Sequence, residues 1–170
     1  GDMFSFTLYD VLQKNLTDNA DHVALVLGRD EITYGELGRE VGRVAGWLFE
    51  RGIRRGDRVG VHFHKCIEEV VATFAIARIG AVSVNINHQR TVAQVGHIVR
   101  DCDIRIMFTD RRKARAVEES EFARDLECLV VNGPSAAGVK SLAWNDVPSG
   151  LPVPDVRPVD RDLASLQYTS

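Results

Sequence analysis

The stretch RVGVHFHKCIEEVVATFAIARIGAVSVNIN, residues 58–87, contains one complete strand–helix–strand pattern. Val59, Val61 and Phe63 alternate with other residues in its first part, which predicts a strand with these three side chains on one face. The segment IEEVVATFAIARIG is apolar almost all round, as expected of a helix packed inside a core, and Gly80 closes it. AVSVNIN then predicts a second strand.

Similar patterns continue on both sides of this unit. Upstream, HVALVLGR and ITY predict a hairpin that turns near residues 28–30. The residues Leu37, Val41 and Val44 then recur at helical spacing, and Gly52 ends that helix. Downstream, the predicted elements are a helix in TVAQVGHIVRDC, a strand in IRIMFTD, a helix in KARAVEESEFARDL and a strand in ECLVVN. Thr91 is placed to cap the first of these helices.

Repeated strand–helix–strand units joined by short turns predict the α/β class: a layered, Rossmann-like, mostly parallel sheet flanked by helices. The length of 170 residues predicts a single domain. Residues 3–132 form its α/β core, and residues 133–161, which contain all five prolines, predict a long surface loop. Residues 162–170, DLASLQYTS, predict a last strand that leads into Thr169 and Ser170.

The composition limits the classes of partner. A net charge of −3 shows no basic surplus, so we expect no nucleic-acid partner. No apolar stretch approaches the roughly 20 residues that span a bilayer, and we expect no transmembrane segment. The first ten residues, GDMFSFTLYD, do not resemble a secretory signal, so a cytoplasmic protein is expected. The three cysteines include no C-x-x-C spacing, and we interpret them as reduced, mostly buried thiols.

Four segments, in order along the chain, resemble one known family. They are ITYGEL at 32–37, GIRRGDRVGV at 52–61, ARIGAVSVNIN at 77–87 and LASLQYTS at 163–170. The last is similar to the opening of the phosphate loop L-A-x-I/L-x-Y-T-S-G-S/T-T-G-x-P-K-G of adenylate-forming enzymes. This superfamily contains AMP-forming acyl-CoA synthetases, the amino-acid-activating domains of peptide synthetases, and luciferases. HIVRDCDIRIMFTD is most similar to the acyl-CoA or acyl-carrier ligases.

The resemblance implies an activity and its ligands. Such an enzyme uses ATP and Mg²⁺ to adenylate a small-molecule carboxylate, and it then passes the acyl group to the thiol of CoA or of a carrier protein. Thr169 and Ser170 would bind near the β- and γ-phosphates. The adenine pocket, the acyl pocket and the catalytic lysine of the family come from later segments. We therefore expect residues 1–170 to be a single N-terminal subdomain that ends in a truncated phosphate loop, has no catalytic residue and is inactive alone.

Several residues depart from the family pattern or allow a second interpretation. Asn85 stands where the family usually has proline, as VNIN rather than VPIN. His62 and His64 are expected on one strand face, and we interpret them as polar strand-end residues rather than metal ligands, so no metal site is predicted. Glu68 and Glu69 fit the positive end of a helix dipole better than acid–base chemistry. The basic run DRRKAR fits a solvated helix start better than an anion site for the phosphates of CoA.

Two other classes of function stay open. One is a free-standing Rossmann-like nucleotide-binding domain, which should have a glycine-rich turn after its first strand, whereas KCIEE follows GVHFH here. The other is a non-catalytic interaction module, in which the chain forms a dimer through an open sheet edge.

Overall fold

A parallel β-sheet forms the centre of the structure, a computed structural model that describes residues 8–133, 140–154 and 165–167. The strands of this sheet are β3 Arg58–His62, β4 Val82–Asn85, β5 Ile106–Asp110, β6 Cys128–Asn132, β7 Ser141–Ala143 and β8 Ser165–Gln167. Their order is β7–β6–β5–β3–β4–β8, and every neighbouring pair is parallel. The predicted hairpin is confirmed as β1 Val23–Leu27 and β2 Asp30–Thr33, which pair antiparallel.

Helices cover both faces of this sheet. They are α1 Leu8–Asp18, α2 Tyr34–Glu50, α3 Ile67–Arg78, α4 Val92–Asp101 and α5 Arg111–Glu118. Helices α2 and α3 share an apolar core with Val61 and Phe108. Helices α4 and α5 share a second core with Met107 and Val131, whose side chains alternate to the other face. The predicted layered α/β architecture is thereby confirmed. Among these five helices, α1 is the one that the sequence analysis did not predict.

Local side-chain bonds decide where two of the helices begin. At the start of α2, the Thr33 hydroxyl accepts a hydrogen bond from the Glu36 N–H at 3.2 Å, and the Glu36 carboxylate accepts one from the Thr33 N–H at 3.1 Å. Thr91 and Gln94 make the same reciprocal pair at the start of α4. Each pair satisfies N–H groups that the helix itself leaves unbonded. The predicted cap at Thr91 is confirmed.

The helix predicted over KARAVEESEFARDL is interrupted. Helix α5 ends at Glu118, Ser120 is extended, and a short 3₁₀ helix follows over Glu121–Asp125. The interruption lets Phe122 turn inward, where it is buried against Gly96 of α4. A Cβ at Gly96 would lie 2.6 Å from the Phe122 ring, so this contact depends on the glycine. The helical pattern of the sequence did not show this long-range contact.

The range 133–161, predicted to be a loop, contains regular structure in its described part. Strand β7 extends the sheet beside β6, and a 3₁₀ turn follows over Trp144–Asp146. The Trp144 side chain is buried in the core of α2 and α3. Arg43 of α2 secures this segment by donating hydrogen bonds to the carbonyls of Trp144 and Val147, at 3.0 and 2.7 Å. Pairing with a neighbouring strand thus overrides the turn-forming composition.

Candidate functional site

The candidate site lies where the parallel strands end. β3, β4, β5 and β8 finish at His62, Asn85, Asp110 and Gln167, and the strand register brings neighbouring ends side by side. In open parallel sheets, ligands bind beyond this carboxyl edge, because loops and helix N-termini meet there. The side chains at this edge are therefore the candidates for ligand contacts.

A cavity of about 610 Å³ opens beside the ends of β3 and β4. Its walls are mostly polar and carry two cationic side chains against one carboxylate. The lining residues are Phe63, Lys65, Glu69, Asn85, Ile86, Asn87, His88, Gln89, Arg90 and Gln94. Eight of these ten lining residues have polar or charged side chains, which suits hydrogen-bonding and charged groups.

Lys65 and Glu69 bring opposite charges to one side of this cavity. Glu69 lies in the first turn of α3, and its burial raises the pKa of its carboxyl, while the nearby Lys65 opposes the shift. The sequence analysis explained Glu69 by the helix dipole alone. It missed the cavity because Glu69 and Asn85 belong to different elements, and the only available signal was the position of α3 directly after a strand end.

His62 is a buried, uncharged side chain. It is only 1% exposed, and its Nδ1 lies 3.1 Å from the carbonyl oxygen of Ile86. Because a carbonyl oxygen can only accept a hydrogen bond, Nδ1 must carry the proton. Burial lowers the pKa of His62 and so favours the neutral ring. His62 thus links the ends of β3 and β4, as the interpretation of a polar strand-end residue expects.

His64 and Asp110 join the ends of β3 and β5. One carboxylate oxygen of Asp110 accepts hydrogen bonds from the His64 main-chain N–H at 2.8 Å and from its ring Nδ1 at 2.7 Å. The other oxygen accepts the Lys113 N–H at 3.1 Å and caps α5. Burial by itself would raise the pKa of Asp110, but these hydrogen bonds outweigh it and lower the pKa. The His88 ring lies 4.4 Å from that of His64, centre to centre.

The basic run at 110–115 forms the start of α5, where Asp110 is the N-cap. Arg111 and Arg112 are exposed, and Arg115 pairs with Glu119 at 2.9 Å on the outer surface. This arrangement matches the interpretation of a solvated helix start. The segment also adds positive charge next to the carboxyl edge, close to His64.

Thr169 and Ser170, the predicted phosphate-binding residues, lie outside the described residues. Their proposed role therefore depends on β8, which stands three residues or fewer before them in the chain. Cys66, Cys102 and Cys128 form no disulfide, and burial raises the pKa of Cys66 to about 11. A thiol with so high a pKa is protonated near neutral pH and is a poor nucleophile.

The described part of the chain contains neither a cluster of metal-ligating side chains nor a membrane-spanning helix. No group of three or more His, Cys, Asp or Glu side chains in it could hold a metal ion. In particular, His62 and His64 turn to different partners, Ile86 and Asp110. No helix within the described residues is long and apolar enough to cross a membrane.

The fold and the polar carboxyl edge define an α/β domain of the parallel-sheet class, which holds its ligands beyond the strand ends. Comparison with known families gives the assignment: the chain belongs to the AMP-binding enzyme family, whose profile matches residues 12–170. The resemblance to the adenylate-forming superfamily is confirmed. The sequence indicated this family through the order of four motifs, because each motif alone is too short to be specific.

Individual relatives agree with this assignment. A Mycolicibacterium smegmatis medium/long-chain-fatty-acid–CoA/3-oxocholest-4-en-26-oate–CoA ligase is 29% identical over 108 residues, 64% of this chain and 20% of that protein. Triostin synthetase I of Streptomyces triostinicus is 30% identical over 161 residues, 92% of this chain and 30% of that protein. The crystal structure of the anthranilate CoA ligase AuaEII with anthranoyl-AMP has a TM-score of 0.79 at 27% identity, covering 95% of this chain and 31% of that one. The chain thus spans between a fifth and a third of the length of these relatives.

Proposed function

We propose that the chain is the N-terminal portion of an AMP-forming carboxylate ligase that joins a small-molecule carboxylate to the thiol of CoA or of an acyl-carrier protein. In the first step, a carboxylate oxygen attacks the α-phosphorus of ATP and pyrophosphate leaves. In the second step, the thiol sulfur attacks the acyl carbonyl of the acyl-adenylate and AMP leaves.

The observation that carries the proposal is the position of β8. This strand lies parallel to β4, with Gln167 in register with Asn85, so its carboxyl end is at the same edge as the polar cavity. Tyr168 follows Gln167 in the chain, and the aliphatic hydroxyl residues Thr169 and Ser170 come next. A loop that starts at this edge can direct main-chain N–H groups and hydroxyls at phosphate oxygens.

In this proposal Thr169 and Ser170 contact the β- and γ-phosphates of ATP. Mg²⁺ supplies positive charge to the polyphosphate as pyrophosphate leaves. The described residues contain no cluster that could hold the ion by themselves. Mg²⁺ is commonly bound through phosphate oxygens and water together with one or two carboxylates.

The acceptor thiol is proposed to be that of CoA, with a carrier protein as the second candidate. The printed names of several relatives specify CoA ligases, which favours CoA. We propose a cytoplasmic location, because three free cysteines suit a reducing compartment.

The decisive experiment is a pyrophosphate–ATP exchange assay on the full-length gene product with a panel of carboxylates. Exchange that depends on one class of carboxylate would support adenylation, and release of AMP on adding CoA or a carrier protein would identify the acceptor. Thr169→Ala and Ser170→Ala should raise the KM for ATP more than the KM for the carboxylate. A full-length product that binds ATP but exchanges no pyrophosphate with any carboxylate would favour the nucleotide-binding alternative.

Residues 1–170 alone are proposed to be inactive, since the family's adenine pocket and catalytic lysine come from later segments. Calorimetry with Mg-ATP should show no tight binding, and a micromolar dissociation constant would contradict this expectation. Strand β8 lies at one edge of the sheet among the described strands, and an edge strand can pair with a second copy of the chain. The isolated chain should therefore be tested for dimers. A monomeric elution volume in size-exclusion chromatography would reject the dimer.

A further inference from the structure

One wall of the cavity at the carboxyl edge is a tight turn, residues 86–91, between β4 and α4. The turn carries His88, Gln89 and Arg90, and all three line the cavity. The Asn87 side chain closes the turn, because its Oδ1 accepts the Gln89 N–H at 2.8 Å. The position of this turn therefore decides where three polar side chains of the cavity stand.

Hydrogen bonds fix both ends of the turn. At its start, the carbonyl of Ile86 accepts the ring N–H of His62 at 3.1 Å. At its end, Thr91 and Gln94 form the reciprocal cap of α4, with bonds of 2.9 and 3.2 Å. The question that is left is what holds the tip of the turn, where His88 stands.

A contact between two imidazole rings holds this tip. The ring centroids of His64 and His88 lie 4.4 Å apart at an interplanar angle of 38°. The Asp110 carboxylate holds the His64 ring in place, since one of its oxygens accepts both the main-chain N–H and the Nδ1–H of His64. The other oxygen of Asp110 caps α5. Asp110, His64 and His88 thus connect the start of α5 to the cavity wall.

We propose that His64 is a positioning residue, which holds His88 and so fixes the cavity wall formed by residues 87–90 before a ligand binds. Burial alone does not fix the His64 side chain, which is 35% exposed, so the Asp110 bonds must orient it. A wall that is ordered in advance loses less conformational entropy when a polar ligand binds. The inference rests on the proposed function where it takes that ligand to be ATP, whose phosphates are proposed to bind at this edge.

Hydrogen exchange measured by mass spectrometry on the full-length gene product, without nucleotide, tests the ring contact. His88→Ala removes one ring, and the peptide that covers residues 86–91 should then exchange roughly twofold to tenfold faster, the worth of one ring contact. His88→Phe keeps a ring and should restore the slow exchange. His97→Ala is the matched control: His97 is an exposed histidine of α4, and its loss should leave that peptide unchanged.

Two variants of His64 separate its ring from its hydrogen bond. His64→Phe keeps a ring beside His88 but cannot donate to Asp110, whereas His64→Asn keeps a side-chain donor and lacks the ring. Both variants should speed the exchange of the 86–91 peptide, because the positioning role needs the ring and the bond together. If the two histidines act through one contact, adding His64→Asn to His88→Ala should increase the exchange no further.

A His88→Ala protein with unchanged exchange at 86–91 would overturn the inference, and so would additive effects of His64→Asn and His88→Ala. The same holds for a His88→Phe protein that exchanges as fast as the alanine variant, because a ring would then not be what holds the turn. Should His64→Phe fail to fold by circular dichroism, the double variant and the His88 pair still decide the question.

A kinetic measurement separates this inference from the proposed function. In pyrophosphate–ATP exchange, His88→Ala should raise the KM for ATP roughly twofold to tenfold and leave kcat and the KM for the carboxylate unchanged. An active enzyme whose KM for ATP is unaffected by His88→Ala would contradict the link between this wall and ATP. A wild-type product without adenylation activity contradicts the proposed function, while the hydrogen-exchange comparison decides the role of His64 in either case.

Discussion

Strands β3, β5 and β6 differ from their neighbour β4 in what they carry between the helix layers. Strands β3, β5 and β6 bury apolar side chains such as Val61, Phe108 and Val130. Strand β4, which lies between β3 and β8, carries the buried Ser83 and the half-buried Asn85, whose Oγ and Oδ1 atoms have no hydrogen-bond partners among the described residues. Strands β3, β5 and β6 thus form an apolar core, while Asn85 of β4 lines the polar cavity. We expect stability to be concentrated in the first region and ligand-related function in the second.

The largest effect should come from breaking the inner core at Phe108. This ring is fully buried and meets Trp47 and Trp144 edge to face, with centroids at 6.3 and 5.9 Å. Phe108→Ala should lower the free energy of unfolding by about 3–5 kcal/mol, through lost apolar contact and the cavity left behind. Urea denaturation measures the change. The exposed Val92→Ala serves as a control and should stay within about 0.5 kcal/mol of wild type.

A smaller effect is expected where the 144–154 segment crosses α2. A Cβ on Gly46 would lie 2.6 Å from the carbonyl oxygen of Leu151, so Gly46→Ala should destabilise by about 1–3 kcal/mol. A Cβ on Gly42, one turn earlier, would meet nothing within 4 Å. Gly42→Ala should therefore stabilise by about 0.5–1 kcal/mol, because alanine favours a helix interior. Equal thermal shifts for the two variants would contradict close packing of this segment.

The stability of the fold should depend on pH through His62, which joins the end of β3 to the residue after β4. Burial lowers the pKa of His62 below its ordinary 6.5, so the unfolded chain binds this proton more readily than the folded chain. Stability should then fall as the pH drops from 7.5 to 5.5, by at most about 1.4 kcal/mol per pH unit for one proton. His62→Asn keeps a donor for Ile86 and cannot titrate, so its slope should be shallower. Parallel slopes would exclude His62 as the source.

The Asp110 carboxylate does not interfere with that measurement. Its pKa is lowered in the folded chain, so its contribution to stability is present above its ordinary pKa of 3.8 and is lost only as the pH falls further. Denaturation curves between pH 5.5 and 7.5 stay above that range.

The smallest expected change in stability comes from removing one buried hydroxyl, either from β5 or from β4. Thr109 in β5 and Ser83 in β4 are both fully buried. The Thr109 hydroxyl donates to the His62 carbonyl at 2.8 Å, whereas the Ser83 hydroxyl has no partner within the described part of the chain. Thr109→Val should cost about 1 kcal/mol, and Ser83→Ala should be neutral or slightly stabilising. A loss of stability on Ser83→Ala as large as that on Thr109→Val would mean that the Ser83 hydroxyl has a hydrogen-bond partner of similar strength.

The elements that the sequence predicted well are those with local causes. Apolar alternation marks β3 and β5, and the reciprocal bonds of Thr91 and Gln94 start α4 within four residues. Where the structure of a segment depends on a partner far away in the chain, the local sequence pattern did not predict it. Strand β7 exists because β6 offers it an edge, and α5 ends early because Phe122 packs on Gly96. Neither partner can be inferred from the spacing of nearby residues.

The candidate site divides in the same way. The motif order gave the family and directed attention to the end of β8, but the bond between His64 and Asp110 joins residues 46 positions apart. The departure at Asn85 was visible as a substitution in a motif. Its consequence, a covered acceptor beside Gln167, appeared only when β4 and β8 were paired.

The sequence by itself determined the α/β class, the positions of most elements and the family, because hydrophobic period, caps and short motifs act over a few residues. Only the tertiary structure decided the strand order, the polar cavity at the carboxyl edge and the unsatisfied acceptor on β4. These features arise from contacts between segments far apart in the chain, and such contacts depend on how helices and strands pack rather than on local preference.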